Sequence, residues 1–233
     1  MTEPGPPSLS EPPVVTVDGG AATGKSSTAR GVAERLGLLH VDTGSHYRAL
    51  TFLLLRQGVE PVEGPGLERA LERIELCSRV EGTEACLLAD GEPVSQGELR
   101  SEDVNRAVSS FAALPPVRRR LLRYQRWHRE LAVAEAFRGL IMEGRDIGSV
   151  VFPEARFRFF LEADPDTRVQ RRSEEGQTDS VVERDRADSG RKTAPLLCPP
   201  GAERIDTARH TLEEVIERIC GRIRPALAPL PHA

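Results

Sequence analysis

The sequence predicts an α/β fold, a mostly parallel sheet with helices on both faces. Three observations carry that expectation. Short apolar, β-branched runs alternate with longer stretches of helical periodicity along the 233 residues. A glycine-rich loop lies between the first such run and the first such helix. No stretch approaches the roughly 18 apolar residues of a membrane-spanning helix, so the apolar side chains, 39% of the chain, are available for a buried core. The length fits one large domain, or a core domain carrying a subdomain.

Five of the first thirteen residues are proline, so residues 1–13 are expected to be a disordered lead. The start also lacks the basic residues and apolar block of a secretory signal. Val14 to Val17, bounded by Pro13 and Gly19, reads as a buried strand. Ser26 to Leu36 has Ala29, Val32, Ala33 and Leu36 on one helical face and ends at Gly37. Leu38 to Val41 reads as a strand, and Tyr47 to Arg56 and Leu67 to Leu76 as helices. From Cys77 to Arg100 the pattern changes. Short runs flank the turn signal Asp90-Gly91, which predicts a small antiparallel patch between the helices. Glu102 to Phe111 and Val117 to Phe137 are helical, broken at Pro115-Pro116. Leu140 to Met142 and Arg156 to Leu161 read as strands. Asp164-Pro165 is an N-cap followed by proline at the first helical position. Arg168 to Arg191 is almost wholly polar, Arg204 to Asp206 is a last strand, and Thr211 to Ile223 a last amphipathic helix. Residues 225–233, with three prolines, are expected to be a loose tail.

The formal net charge is −4, which argues against a nucleic-acid-binding role. Only Lys25 and Lys192 are lysines; every other cation is arginine. The four cysteines, Cys77, Cys86, Cys198 and Cys220, form no CxxC pair and read as incidental thiols of a reducing, cytoplasmic compartment.

Gly19-Gly20-Ala21-Ala22-Thr23-Gly24-Lys25-Ser26, followed by Ser27, fits the phosphate-loop pattern G-x-x-x-x-G-K-[ST]. The glycines let successive amide N–H groups point at phosphate oxygens, and the following helix adds its positive end. Lys25 is placed for the β- and γ-phosphates and the Ser26 hydroxyl for Mg²⁺. The reading is a P-loop NTPase-type core that binds a nucleoside triphosphate. Four further clusters bear on the acceptor: Asp42 to Arg48, Glu143 to Asp146, Arg184 to Arg191, and Ser109 with Arg118. Taken singly, each is an ordinary cap, ion pair or solvated charge run.

Together, in order and wording, they resemble the bacterial cytidylate kinases (CMP kinases) of the type 1 nucleoside monophosphate kinase family. The carrying strings are Asp18 to Ser27, Asp42 to Arg48, Gly144-Arg145-Asp146-Ile147-Gly148-Ser149-Val150-Val151-Phe152-Pro153, and Arg184 to Leu196. The resemblance implies transfer of the γ-phosphoryl group of ATP to CMP or dCMP with Mg²⁺. It implies a monomer acting on small molecules, with no nucleic-acid or membrane partner. It divides the chain into a kinase core at 14–63 and 101–224, a lid near 172–192 and a small α+β acceptor-side insert at 64–100. Lys25, Arg145, Arg184 and Asp188 become the catalytic set. Thr43, Arg48 and Arg145 are implied to hold the acceptor nucleotide, and Arg184 with Asp188 its ribose side. Ser109 and Asp146 would face the cytosine amine, and Arg118 and Arg191 the ring acceptors.

Two departures stand out. His46 lies where the family has a small or apolar residue, and reads as a helix-surface histidine. The lid looks short, with eleven residues between Arg172 and Arg184. The competing expectations are another kinase of the same fold, acting on UMP, AMP or shikimate, and a non-enzymatic nucleotide switch. The G-R-D-x-G string and the insert oppose the first. The absence of an Asn-Lys pair, needed for a guanine-reading N-K-x-D motif, opposes a GTPase switch.

Overall fold

The structure is a computed structural model, and it describes residues 12–174, 181–191 and 193–227. Five strands make the parallel centre of its sheet: β1 (Val14–Gly19), β2 (Leu39–Asp42), β6 (Leu140–Gly144), β7 (Phe157–Glu162) and β8 (Glu203–Asp206). Their spatial order is β2-β6-β1-β7-β8. β1 is central and buried throughout, as its run of β-branched residues requires. The chain leaves β1 toward β2, then returns to insert β6 between them before passing to β7 on the other side. The carboxyl ends of β1 and β6 therefore meet at the crossover point, where open parallel sheets place their ligands.

The antiparallel patch is present as β3 (Leu76–Glu81), β4 (Glu84–Ala89) and β5 (Glu92–Pro93), with Asp90-Gly91 turning β4 into β5 through two left-handed residues. It is not a separate patch, however. A parallel bridge, His40 opposite Glu84, joins β4 to β2, so all eight strands form one sheet. The expected helix from Leu67 to Leu76 is shorter. α3 (Pro65–Arg73) stops because Ile74 turns extended and Leu76 pairs with Ala89 in the hairpin.

α1 (Lys25–Leu36) and α9 (Leu212–Ile223) cover one face, with Val32, Leu36, Ile216 and Ile219 packed on Val15, Val17, Phe159 and Ile205. A capping box, Thr211 with Glu214, starts α9. A second core lies between α2 (Thr43–Arg56), α3, the hairpin, α5 (Glu102–Ala113) and α6 (Pro115–Ala134). Phe111, Leu50, Leu54 and Leu121 are fully buried there. α2 starts at Thr43, four residues earlier than its periodicity indicates, because the Asp42 carboxylate accepts from the N–H groups of Gly44 and Ser45. α4 (Gln96–Leu99) is one turn, and α7 (Pro165–Glu174) and α8 (Val181–Ser189) border the cleft. The predicted Asp164 cap holds: its carboxylate accepts from the Thr167 N–H and hydroxyl. At the C-terminal end, residues 225–227 are ordered rather than loose, and Leu227 packs into the α1–α9 core. The proline-rich lead up to residue 11 and the tail from residue 228 lie outside the described residues.

Candidate active site

The phosphate loop runs from the end of β1 to the first turn of α1. Gly19 is required by contact: a Cβ there would stand 2.2 Å from the carbonyl oxygen of Leu161 on β7. Gly24 is required by conformation, with φ +82° at the N-cap of α1. Thr23 Oγ1 donates to the Gly20 carbonyl at 3.0 Å. Lys25 folds back over the loop and donates from Nζ to the same carbonyl at 2.6 Å. Burial, reinforced by the charge of Arg145, pulls the Lys25 ammonium down to about 7. A bound polyanion would offset both causes. Ala21, Ala22, Ser26 and Ser27 line the same wall.

The end of β6 forms the floor. Glu143, 2% exposed, accepts a hydrogen bond from Ser26 Oγ at 2.9 Å through Oε2. Its Oε1 faces His40 Nε2 at 3.2 Å, and its main-chain carbonyl accepts from Thr43 Oγ1 at 2.7 Å. Burial disfavours the charged ring of His40, but hydrogen bonds to Glu143 and Glu84 outweigh it and raise His40 to about 9. Beyond Gly144 the chain makes a wide helical turn, with the Phe152 N–H reaching the Ile147 carbonyl at 2.7 Å. Asp18 on β1 holds that turn: its two carboxylate oxygens accept from the N–H groups of Ile147 and Gly148 at 2.8 and 2.7 Å. Burial pushes Asp18 up to about 6 against those two bonds.

Arginines and carboxylates close the opposite end. Asp188 on α8, 3% exposed, accepts from Arg145 Nε at 2.9 Å and from Arg191. Asp146, 4% exposed, pairs with Arg118, whose other nitrogen donates to the Ala112 carbonyl at 3.0 Å. Burial raises the Asp146 carboxyl and lowers Arg191, each opposed by its ion partners. The Arg118 guanidinium also lies over the Tyr47 ring, 5.5 Å from its centroid. Arg48 donates to the Leu99 carbonyl at 2.9 Å and to Asn105 Oδ1 at 2.6 Å.

One cleft of about 470 Å³ unites these ends. The loop from Ala21 to Ser27, Thr43, Arg48, Ser109, Arg145, Asp146, Asp188 and Arg191 all line it. Arg118 stands behind Asp146 rather than on the wall. Gly19 and Gly20 begin the loop and do not line the cleft. Arg184 is carried by α8, and its side chain lies outside the described residues.

The structure corrects one site expectation. His46 is not on a helix surface: it is 1% exposed, stacked on His128 at 5.2 Å and packed against Tyr124 at 4.8 Å. α2 is covered on that side by α6, and the sequence carries a signal of it: His46 lies at i, i+3, i+4, i+7 spacing with the buried Ala49, Leu50 and Leu53. Sequence reasoning also gave no role to Glu143, Arg172 or Asp185. Arg172 is 8% exposed on the cleft wall. Asp185 of α8 accepts the Ala21 N–H at 3.0 Å and pairs with Arg168, placing a carboxylate on the loop. The polar run around Asp185 offers no local reason to single it out.

The donor set beside the loop suits a small hard cation. A serine hydroxyl against a buried carboxylate, with room for water and phosphate oxygens, is the chemistry Mg²⁺ takes. Among the described residues no cluster of three or more histidine, cysteine or acidic groups could hold a metal unaided.

A family model described as cytidylate kinase matches residues 15–225. The cytidylate kinase of Streptomyces griseus is 38% identical over 211 residues, covering 88% of this chain and 89% of its own. That of Pelotomaculum thermopropionicum is 39% identical over 224 residues, covering 91% and 96%. That of Mycobacterium leprae is 36% identical over 222 residues, covering 91% and 95%.

Proposed function

Because this chain belongs to the cytidylate kinase family and is a phosphotransferase that phosphorylates CMP at the expense of ATP, we propose that its cleft divides the reaction between two ends. The observation that carries the proposal is the shared cleft, with the phosphate loop at one end and the arginine–carboxylate cluster at the other. At the donor end the loop amides, the α1 N-terminus and Lys25 bind the phosphates of ATP. Ser26, against Glu143, would hold Mg²⁺, which when bound would neutralise charge on the transferring group.

At the acceptor end Arg48 and Arg145 hold the nucleotide phosphate, with the Thr43 hydroxyl beside them. Arginine suits two anions that must approach, because its planar fork is always charged. Asp188 and Arg184 face the ribose, and Asp188 sets the orientation of Arg145 and Arg191. Asp146 and Ser109 accept from the 4-amino group of cytosine and Arg191 donates toward N3 and O2, while Arg118, behind the wall, acts on the base through Asp146, which it holds. An acceptor phosphate oxygen attacks the γ-phosphorus in line, and the bond to the β-bridging oxygen of ATP breaks. The attacking group is already an anion, so no side chain serves as nucleophile. Positioning, charge stabilisation and water exclusion supply the catalysis.

A coupled ADP-release assay with MgATP and CMP, dCMP, UMP, AMP and shikimate tests the base assignment. CMP and dCMP should turn over far faster than UMP, whose 4-oxo group would meet acceptors. Asp146→Asn should raise KM for CMP at least about tenfold and narrow the CMP-to-UMP ratio, because a buried hydrogen-bonded charge is lost. An unchanged ratio in that variant would remove Asp146 from base reading. Turnover with AMP or shikimate but not CMP would overturn the acceptor assignment altogether.

A further inference from the structure

His40 has no place in the division of labour above and does not line the cleft. It sits in the middle of β2, where alternation puts Leu39 and Val41 toward one layer and His40 with Asp42 toward the other. A histidine 3% exposed inside a sheet needs partners for its ring nitrogens. Both nitrogens face carboxylates: Nε2 meets Glu143 Oε1 at 3.2 Å and Nδ1 meets Glu84 Oε1 at 3.6 Å. Glu84 in turn pairs with Arg30 of α1, and its own backbone bridges to His40 where β4 joins β2. A continuous line of polar contacts runs Arg30, Glu84, His40, Glu143, Ser26.

The contact that matters is the split at Glu143. One oxygen is taken by His40 and the other by the Ser26 hydroxyl. A carboxylate buried this deeply needs a donor on each oxygen to hold one orientation. Without the His40 N–H, the Oε1 side has no comparable hydrogen-bond donor among the described residues, and the carboxyl is free to rotate. Rotation removes the fixed acceptor beside Ser26.

We propose that His40 is a positioning residue: it locks Glu143 so that one carboxylate oxygen stays an acceptor at the Ser26 corner of the phosphate loop, where the ATP-bound Mg²⁺ and its water are received. The proposal rests on the reading of Ser26 as the magnesium-side hydroxyl. Partners that orient the groups around a metal typically change metal-linked affinity about 10- to 100-fold when removed. His40 therefore affects binding of the metal-loaded nucleotide, not of the nucleotide alone and not of CMP.

The experiment is isothermal titration calorimetry of the full chain with MgATP, and with ATP in EDTA, alongside steady-state kinetics. For the unaltered protein, MgATP should bind more tightly than ATP in EDTA; if it does not, the reading of Ser26 fails, independently of His40. Given that preference, His40→Leu should lose about tenfold in MgATP affinity, with ATP-in-EDTA affinity and KM for CMP within about twofold of the parent. His40→Gln, whose amide still donates, should recover most of the loss. Glu143→Gln keeps the shape without the charge and should lose the same metal preference, which tests the arrangement even if His40→Leu does not fold. In the double variant His40→Leu/Glu143→Gln the two losses should not add. Equal weakening of both nucleotide forms, a raised KM for CMP, or full metal preference in Glu143→Gln would overturn the proposal.

Discussion

Chemistry in this cleft depends on a few buried charges, and most but not all of them are legible in the motifs. Lys25 and Ser26 can be found in the sequence from the spacing of the phosphate loop, whereas Thr43, Arg48, Arg145, Asp146, Asp188 and Arg191 stand out only through the resemblance of their strings to the cytidylate kinases; all eight line the one cleft. The roles of Glu143, Asp185 and His40 cannot be found there, because their partners lie 103 to 164 positions away along the chain. His46 is a different case: it shares a helical face with Ala49, Leu50 and Leu53, so its burial is legible in the spacing. His128 and Tyr124 of α6 cover it, and its Nδ1 has no hydrogen-bond partner among the described residues. Burial, helped by His128, drives His46 down to about 3, and burial drives His128 down to about 4. Both histidines are thus neutral in the fold, whereas the unfolded chain protonates them near 6.5. As pH falls below about 6.5 the unfolded state binds more protons, so stability declines toward pH 4. His46→Phe should flatten that acid limb in a plot of Tm against pH. An identical slope in the variant would show that the pair does not control it.

At the scale of elements, most of the strand and helix order followed from periodicity, but α8, inside the polar run, the one-turn α4 and the helical turn after β6 did not, and boundaries moved where a tertiary contact intervened. α2 gained its first turn from the Asp42 cap, and α3 lost its last to the β3–β4 ladder. The hairpin's attachment to the main sheet could not be read from alternation, since a single parallel bridge makes it. The turn after β6 owes its shape to a residue on another strand, Asp18, which accepts two of its N–H groups. Asn at position 18 can accept only one of them. Asp18→Asn should therefore lower stability by roughly 1–3 kcal/mol and lower kcat, because Arg145 and Asp146 are set by that turn. Chemical denaturation together with kinetics checks this. Unchanged kcat with lost stability would confine Asp18 to a structural role.

For the molecule as a whole, three buried clusters form the core of the described residues, and two of them divide the support of the cleft. One, between α1, α9 and the sheet, supports the phosphate loop; the other, between α2, α5 and α6, supports the residues proposed to read the base and the acceptor phosphate. Ile219→Ala and Phe111→Ala, both at fully buried positions, should each cost about 2–5 kcal/mol. Only Phe111→Ala should also raise KM for CMP, since α5 carries Ser109 and packs on the helix that carries Arg118. Matched KM values in the two variants would mean that the cores are mechanically coupled. Lys25 gives the chain a further property. Apart from the N-terminus it shares the aliphatic amines of the protein with Lys192 alone, and it lies in the cleft wall at the end proposed to take the nucleotide phosphates. The enzyme is in effect pre-labelled for amine chemistry: acylation read peptide by peptide reports loop occupancy at one position, with no engineered tag and almost no background.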